Sequence, residues 1–242
     1  MISILGIIPA RMGSTRFPGK PLAHLRGKPM IQWVWENCQL SNHVKSWVVA
    51  TDHEEIYNNV MQFGGKAIMT SPYHQSGTDR CIEAFEKTGL NCTHFINVQG
   101  DEPLIAAKQI DALAITLAEE KAAIATLIKK NDSWEDFQNT NRVKVVIDLD
   151  GKALYFSRSP LPFQEKQNFS YFWKHIGMYG FDAKLLPRLQ SLPISSLEKQ
   201  ESLEQLRWLE NGIPIQTTET ELETPSVDTP EDLEKILMYF PE

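Results

Sequence analysis

Three cations, two hydroxyls and two glycines occupy one short segment that follows an apolar run near the start of the chain. The run is Ile2 to Ile8, and Pro9 to Leu22 follows as P-A-R-M-G-S-T-R-F-P-G-K-P-L. A loop at the carboxyl end of a strand in an open α/β sheet lies where such folds bind ligands, and glycines let backbone N–H groups approach phosphate oxygens. We therefore predict that this loop binds a polyphosphate, with charge supplied by Arg11, Arg16 and Lys20.

The two common phosphate-binding motifs do not fit this loop. A Walker A loop has four residues between its glycines and then Lys followed by Ser or Thr. Here five residues separate Gly13 from Gly19, and Lys20 is followed by Pro21, which has no hydroxyl and disfavours helix at the lysine. The dinucleotide pattern G-x-G-x-x-G is also absent from the loop. A turn with solvated charges remains the alternative.

Two aspartates are candidate ligands for a divalent cation. Asp101 follows a predicted strand, His94 to Val98, in the segment N-V-Q-G-D-E-P, and a carboxylate there can hold Mg²⁺ against a triphosphate. The alternative is a turn aspartate that bonds its own backbone. Asp228 is the second candidate, although a residue just before Thr229-Pro230 can serve only to start a helix.

A third polar segment, H-Q-S-G-T-D-R from His74 to Arg80, is predicted to begin a helix. The free N–H groups of a helix N-terminus favour anions and can also contact a base edge. The alternative is an N-cap by Ser76 or Thr78 with Arg80 in solvent. Arg158, His175 and Glu204 are isolated polar residues of the second half, and by themselves most such residues are surface or structural groups.

The order of elements predicts the scaffold that positions these segments. Strands are predicted at Ile2 to Ile8, Trp47 to Ala50, Lys66 to Met69, His94 to Val98 and Ala122 to Leu127. Helices are predicted at Met30 to Leu40, Glu54 to Phe63, Thr78 to Lys87 and Lys108 to Glu120. This alternation predicts an α/β fold, a Rossmann-like, mostly parallel sheet with helices on both faces.

After Asn139 the pattern changes and predicts a smaller antiparallel β insertion. The elements predicted there are strands at Val143 to Ile147, Ala153 to Phe156 and His175 to Phe181, a hairpin turn at Asp148 to Gly151, a loop at Phe163 to Trp173 and a helix at Ser196 to Asn211 closed by Gly212. A last helix is predicted to begin with Thr229 as N-cap and Pro230 at its first position.

Composition limits the class of protein. The 242 residues suffice for one well-buried domain, and a net charge of −7 lacks the basic footprint of a nucleic-acid-binding surface. No run of about 18 apolar residues and no signal peptide is evident, so we expect a cytoplasmic protein without a membrane partner. Three cysteines without C-x-x-C spacing, and six histidines without an i, i+4 pair, argue against disulfides and a histidine metal site.

Nine segments together resemble the 3-deoxy-D-manno-octulosonate (Kdo) cytidylyltransferases, the CMP-Kdo synthetases. In order from Ile7 to Leu233 they are I-I-P-A-R-M-G-S-T-R-F-P-G-K-P-L, A-T-D, H-Q-S-G-T-D-R, N-V-Q-G-D-E-P, V-K-V-V-I-D, A-L-Y-F-S-R, H-I-G-M-Y-G-F, L-E-Q-L-R and V-D-T-P-E-D-L. The resemblance implies that the anomeric hydroxyl of Kdo attacks the α-phosphate of CTP, giving CMP-Kdo and pyrophosphate for lipopolysaccharide synthesis. It also implies Mg²⁺ as cofactor, the nucleotide-diphospho-sugar transferase type of fold, and a homodimer.

The resemblance implies a role for each matching residue. Catalytic roles fall to Arg11, Lys20, Asp101 and Asp228, of which Asp101 and Asp228 would bind the metal. The nucleotide would be bound by Pro9, Ala10, Arg11, Ser14, Lys20, Ser71, His74, Ser76, Gly77 and Gln99. The sugar acid would be bound by Arg80, Gln99, Arg158, His175, Tyr179, Glu204 and Gln205, with arginine suited to its carboxylate. Residues 1–242 would form one domain, with a nucleotide-binding half at about 1–130 and a sugar-binding and dimerisation region at about 140–212.

Two alternatives stay open at this point. The segment Pro162 to Trp173 is short and aromatic-rich for the family, so the acceptor could be 8-amino-Kdo or a sialic acid. A regulatory module that only binds CTP is the other alternative, but retention of both Asp101 and Asp228 argues against it.

Overall fold

The computed structural model describes residues 2–13, 16–119 and 122–240. The chain divides into two compact units, Met1–Ala114 with Thr224–Glu242 and Ile115–Glu223. The assignment of nucleotide and sugar binding to different parts of one domain stays a prediction. Across the described residues, no helix is both long enough and apolar enough to cross a bilayer.

The first unit is built on a parallel sheet. Its strands are β1 (Ile4–Ala10), β2 (His24–Leu25), β3 (Lys28–Pro29), β4 (Ser46–Thr51), β5 (Ala67–Met69) and β6 (His94–Asn97), and the helices that begin in it are α1 (Met30–Gln39), α2 (Glu54–Gln62), α3 (Gly77–Thr88) and α4 (Ala107–Glu119). The parallel strands lie in the order β6-β1-β4-β5, and β2 pairs with β3 in a separate small hairpin. All seven residues of β1 are buried, as expected for a parallel strand covered on both faces.

The second unit contains the antiparallel elements. Its strands are β7 (Ile124–Asn131), β8 (Lys144–Ile147), β9 (Ala153–Ser157), β10 (Phe172–Asp182) and β11 (Ile215–Glu219), and its helices are α5 (Trp134–Gln138), α6 (Leu186–Ser191), α7 (Ser196–Glu201) and α8 (Gln205–Glu210). Strand β10 is antiparallel to both β7 and β8, β8 is antiparallel to β9, and β11 runs parallel to β7. The mostly parallel sheet with a smaller antiparallel insertion is therefore confirmed.

The predicted hairpin turn between β8 and β9 is confirmed in detail. The Asp148 N–H donates to the Lys152 carbonyl at 2.9 Å, and the Gly151 N–H donates to the Asp148 carbonyl at 3.2 Å. Gly151 has a φ of +75°, which a residue without a Cβ adopts at little cost.

The predicted single helix from Ser196 to Asn211 is wrong. Two short helices, α7 and α8, replace it because Ser202 adopts a left-handed conformation with φ of +53°. Beyond this turn the Leu203 N–H donates to the Glu198 carbonyl at 3.3 Å, and the Leu203 side chain is buried. The predicted loop was also too long, since Phe172 and Trp173 already belong to β10.

The chain returns to the first unit for its last helix, α9 (Pro230–Ile236), which begins as predicted with Thr229 as N-cap. Just before this helix, Val227 is fully buried in an apolar cluster with Leu25, Met30, Ile236 and Phe240. The cluster therefore anchors the segment that leads into Asp228.

Candidate active site

A polar cavity opens in the first unit where β1 and β6 end and α3 begins. It is lined by Pro9, Ala10, Arg11, Arg16, Lys20, Pro21, His74, Gln75, Ser76, Gly77, Arg80, Gln99, Gly100, Asp101 and Asp228. The three polar segments singled out in the sequence thus meet around one cavity. Its place at the carboxyl ends of parallel strands is where open α/β sheets bind ligands.

Close backbone approach shapes this cavity. A Cβ on Gly100 would lie 2.6 Å from the Pro9 carbonyl oxygen, so only glycine fits where the turn after β6 passes the end of β1. A Cβ on Gly77 would lie 3.7 Å from the Gln99 side-chain oxygen, which puts the Gln99 amide beside the start of α3.

The loop after β1 is closed by its own backbone. The Gly19 N–H donates to the Met12 carbonyl at 3.1 Å, and Gly19 has a φ of +72°. A 3-10 turn, Lys20–Leu22, follows. Ser14, predicted to bind the triphosphate, lies outside the described residues.

Lys20 joins the two predicted metal ligands. Its Nζ lies 2.5 Å from Asp101 Oδ2 and 3.5 Å from Asp228 Oδ1, and Arg16 Nη2 lies 2.9 Å from the same Asp228 oxygen. The Val227 N–H donates to the Asp101 carbonyl at 2.9 Å, so the two aspartates are held together through the backbone as well. The structure therefore brings Asp101 and Asp228 to one place, although they are far apart in the sequence.

This pair of carboxylates suits a hard cation. Oxygen donors are the ligands that Mg²⁺ prefers, and one ammonium group already lies near both carboxylates. Among the described residues, no group of three or more His, Cys, Asp or Glu side chains is arranged to hold a metal ion. A cation at Asp101 and Asp228 would accordingly complete its coordination with substrate oxygens and water, as Mg²⁺ commonly does.

Glu102, which sequence reasoning did not single out, is buried next to Asp101. Burial, together with the charge of Asp101, raises the pKa of the Glu102 carboxyl to about 8. The Thr224 hydroxyl donates to its Oε2 at 3.3 Å. At neutral pH the Glu102 carboxyl is therefore mostly protonated and adds little negative charge beside Asp101.

Helix α3 starts as predicted, but Arg80 is not in solvent. The Ser76 side chain caps the helix by accepting from the Asp79 N–H at 3.1 Å. Arg80 is only 3% exposed, and its guanidinium donates to Thr70 Oγ1 at 2.6 Å and to Asp52 Oδ2 at 2.7 Å. Since both partners follow strand ends, Arg80 is fixed at the edge of the cavity.

The segment between β5 and α3 is held by Glu83, which lies farther along the same helix. Glu83 Oε2 accepts from the Ser71 N–H at 2.8 Å and is paired with His74 Nε2. Its other oxygen, Oε1, lies 2.7 Å from Lys87 Nζ. His74 lines the cavity, whereas Ser71, also predicted to bind the nucleotide, is absent from its described lining.

In the second unit, His175 and Tyr179 lie on either side of an irregularity in β10. The pairing of β10 with β7 shifts between Ile176 and Tyr179, and such bulges re-aim side chains. Thr126 Oγ1 donates to the Met178 carbonyl at 2.8 Å and lies 3.0 Å from His175 Nε2. Because that hydroxyl hydrogen is used, we assign the imidazole proton to Nε2. Burial lowers the pKa of His175 to about 3, so the ring is neutral.

Two buried polar atoms of the second unit, one of them on Tyr179 next to His175, have no hydrogen-bond partner among the described residues. The Tyr179 ring packs edge-on against Trp208 of α8, with ring centroids 5.1 Å apart. Within the described part of the second unit, the Tyr179 hydroxyl and Gln205 Nε2 are buried without a hydrogen-bond partner. Burial, with the nearby Glu204 carboxylate, raises the pKa of Tyr179 well above its ordinary value. Unpaired buried donors are costly, which favours a polar ligand here.

Arg158 is held by backbone groups. Its Nε donates to the Glu201 carbonyl at 2.9 Å, and its Nη1 and Nη2 contact the Thr140 and Ser202 carbonyls at 3.3 and 3.4 Å. Its guanidinium therefore ties β9 to the turn that precedes α8. A role in binding the sugar carboxylate stays a prediction.

Comparison with known proteins identifies the family of this chain. A sequence profile of the family described as cytidylyltransferase matches residues 5–222. The chain belongs to the cytidylyltransferase family. This cytidylyltransferase is 48% identical over 250 residues to a 3-deoxy-manno-octulosonate cytidylyltransferase of Parabacteroides distasonis, covering 99% of both chains. It is 51% identical over 242 residues to the enzyme of the same name from Thermodesulfovibrio yellowstonii, covering 94% of each.

A solved structure is similar to this cytidylyltransferase along its whole length. It is a CMP:2-keto-3-deoxy-manno-octonic acid synthetase complexed with CTP, with a TM-score of 0.92, 41% sequence identity and 98% of each chain covered. The family suggested by the nine sequence segments is therefore confirmed.

Proposed function

We propose that this cytidylyltransferase activates Kdo with CTP, giving CMP-Kdo and pyrophosphate. The observation that carries the proposal is the similarity along nearly the whole chain to relatives named for this activity, at 48 and 51% identity. The similar solved structure contains CTP. The cavity agrees in chemistry, because its cations suit a triphosphate and its carboxylates suit the accompanying metal.

The reaction forms one P–O bond and breaks another. The anomeric oxygen of Kdo attacks the α-phosphorus of CTP, the bond between the α-phosphorus and the bridging oxygen breaks, pyrophosphate leaves, and the hydroxyl proton passes to solvent. Such transfers depend on positioning and charge neutralisation, with no need for a protein nucleophile. Arg11 and Lys20 would bind the phosphates and offset their negative charge. We expect no covalent enzyme intermediate.

Magnesium dependence is part of the proposal. Asp101 and Asp228 would hold Mg²⁺, which when bound would neutralise phosphate charge and lower the pKa of the attacking hydroxyl. Two observations support this choice of residues: both carboxylates border the cavity, and both lie within 4 Å of the same ammonium group. Lys20, whose Nζ lies near both carboxylates and which lines the cavity, would contact the triphosphate.

The remaining residues are assigned by substrate. Recognition of the cytidine would fall to Pro9, Ala10, Ser71, His74, Ser76, Gly77 and Gln99, and Ser14 would join the triphosphate contacts. The family resemblance assigns the sugar acid to Arg80, Gln99, Arg158, His175, Tyr179, Glu204 and Gln205. The unpartnered Tyr179 hydroxyl and Gln205 amide support a polar ligand at the second unit's residues.

Three broader assignments complete the proposal. The product would supply lipopolysaccharide synthesis, the enzyme would work in the cytoplasm, and the active form would be a homodimer. These follow from the family resemblance.

The proposal is tested by measuring pyrophosphate release from CTP and Mg²⁺ with Kdo, 8-amino-Kdo or N-acetylneuraminate supplied separately. Asp101→Asn serves as the inactive control. We expect release with Kdo. Pyrophosphate release only with another sugar acid would support cytidylyl transfer but show that Kdo is not the acceptor. CTP binding without any pyrophosphate release would contradict an enzymatic role.

A further inference from the structure

Glu83 connects two residues assigned to the nucleotide. Its Oε2 accepts the Ser71 backbone N–H at 2.8 Å and is paired with His74 Nε2, so a single oxygen holds two points of the segment 71–76. The side chains of Glu83 and His74 are only about one-fifth exposed, at 22 and 21%. Glu83 itself does not line the cavity, whereas His74 does.

The same helix carries the other groups that face this edge of the cavity. Ser76 caps its start and Arg80 lies one turn before Glu83. Since residues three or four apart share a helix face, α3 presents its N-terminus, Arg80 and Glu83 toward the segment that precedes it. Side chains of α3 therefore hold the segment 71–76, in addition to the covalent chain at its two ends.

The surroundings of the Glu83 carboxylate favour its charged form. Burial works to raise its pKa, but hydrogen bonds from Lys87, the Ser71 N–H and His74 outweigh it and lower the pKa to about 2. Hydrogen bonds to an ionised acceptor are roughly twice as strong as neutral ones. A charged acceptor therefore restrains the His74 ring more firmly than a neutral amide would.

We propose that Glu83 is a positioning residue for the cytosine nucleotide: it fixes the Ser71 backbone and the His74 ring, of which His74 lines the cavity, and so sets the affinity for CTP. The inference rests on the proposed function, because it takes the ligand of this segment to be CTP. Glu83 acts through His74 and Ser71 without touching the nucleotide.

The test compares three variants of the full-length protein by calorimetric titration with CTP in the absence of sugar acid, and by steady-state kinetics with Kdo. Glu83→Gln keeps an acceptor for the Ser71 N–H but removes the charge that faces His74. Lys87→Met is the control, because it removes another partner of the same carboxylate, and with it a bond to the Met69 carbonyl, while the Ser71 and His74 contacts of Glu83 remain. His74→Ala, alone and combined with Glu83→Gln, shows whether Glu83 acts through the histidine.

Loss of one charge-assisted contact predicts that Glu83→Gln raises the Kd and KM for CTP about tenfold. It leaves kcat and the KM for Kdo near their wild-type values, and Lys87→Met has little effect on any of them. In the His74→Ala background Glu83→Gln adds little further loss, because the group through which it acts is gone.

A purely structural role gives a different pattern. Glu83→Gln would then lower the melting temperature with an unchanged Kd for CTP, or its effect would add in full to that of His74→Ala, and either result would overturn the proposal. Failure of the proposed function is separable: a wild-type protein that binds CTP but releases no pyrophosphate with Kdo contradicts the function, while the Kd values still test Glu83. A wild-type protein that binds no CTP contradicts both.

Discussion

The ammonium group of Lys20 lies 2.5 Å from a carboxylate oxygen of Asp101, directly beside the cavity where the triphosphate is proposed to bind. Lys20 is well buried, with 12% of its side chain exposed, so this contact is only weakly screened by solvent. The pair places one positive and one negative group where the phosphates and a metal ion are proposed to bind together. The activity of this site should therefore depend on both charges.

Removal of the lysine charge should impair catalysis more than folding. Lys20→Met deletes a cation aimed at the triphosphate, and loss of one such electrostatic group predicts a fall in kcat/KM for CTP of about 100-fold or more. Lys28→Met is the control, because Lys28 pairs with Glu36 and lies outside the cavity lining. Initial-rate kinetics and circular dichroism check the prediction. Near wild-type turnover by Lys20→Met would contradict the assignment.

Removal of the charge of either proposed metal ligand should nearly abolish turnover while the fold persists. Asp101→Asn and Asp228→Asn each keep the side-chain shape but remove a charged oxygen donor, so both activity and binding of Mn²⁺ in the presence of CTP should fall. Electron paramagnetic resonance of Mn²⁺ and pyrophosphate release measure the two effects. Asp150→Asn, on an exposed turn, should change neither. Unaltered Mn²⁺ binding by Asp101→Asn would rule out the proposed ligand.

The unpartnered polar atoms of the second unit predict opposite effects on stability and on substrate binding. Tyr179→Phe removes a buried hydroxyl that lacks a partner, so the free energy of unfolding should stay level or rise by about 1 kcal/mol. The KM for Kdo should rise at the same time, because the hydroxyl is proposed to bind the sugar. Chemical denaturation and kinetics measure the two quantities. A large loss of stability without any change in KM would show a structural hydroxyl.

His175 predicts a pH dependence of stability. Burial lowers its pKa to about 3 from an ordinary 6.5, so between these values the unfolded chain binds a proton that the folded chain does not. The free energy of unfolding should therefore fall as the pH drops from 6.5 toward 3. His175→Asn lacks this contribution, so its deficit in stability relative to wild type should shrink at lower pH. Urea denaturation at pH 7.5 and pH 5 tests this, and a constant difference would contradict it.

Much of the scaffold was predictable because its signals are local. The apolar runs of β1 and β4, the turn at Asp148 to Gly151 and the Thr229-Pro230 cap each depend on a few neighbouring residues. The break at Ser202 was missed because the left-handed conformation it adopts is typical of Gly and Asn and uncommon for Ser. This conformation accompanies burial of Leu203.

The site residues likewise fall into those that local sequence predicts and those whose surroundings depend on tertiary contacts. Lys20, Asp101 and Asp228 were predicted from loop positions and strand ends, and the structure brings them together. Glu83 and Glu102 were missed because each lies in an ordinary polar context in the sequence, and only tertiary contacts show what surrounds their carboxyl groups. One interpretation of the sequence placed Arg80 in solvent. Its partners, Asp52 and Thr70, follow other strands, so the sequence around Arg80 does not reveal them.

The most direct test of the central claim is to follow the α-phosphorus of CTP. The enzyme is incubated with [α-³²P]CTP, Mg²⁺ and Kdo, and the labelled products are separated and identified by mass spectrometry. The account predicts that the label appears in CMP-Kdo with an equal amount of pyrophosphate, and that Asp101→Asn yields almost none. Label that appears only in free CMP, or that stays in CTP while the protein binds it, would contradict cytidylyl transfer to Kdo.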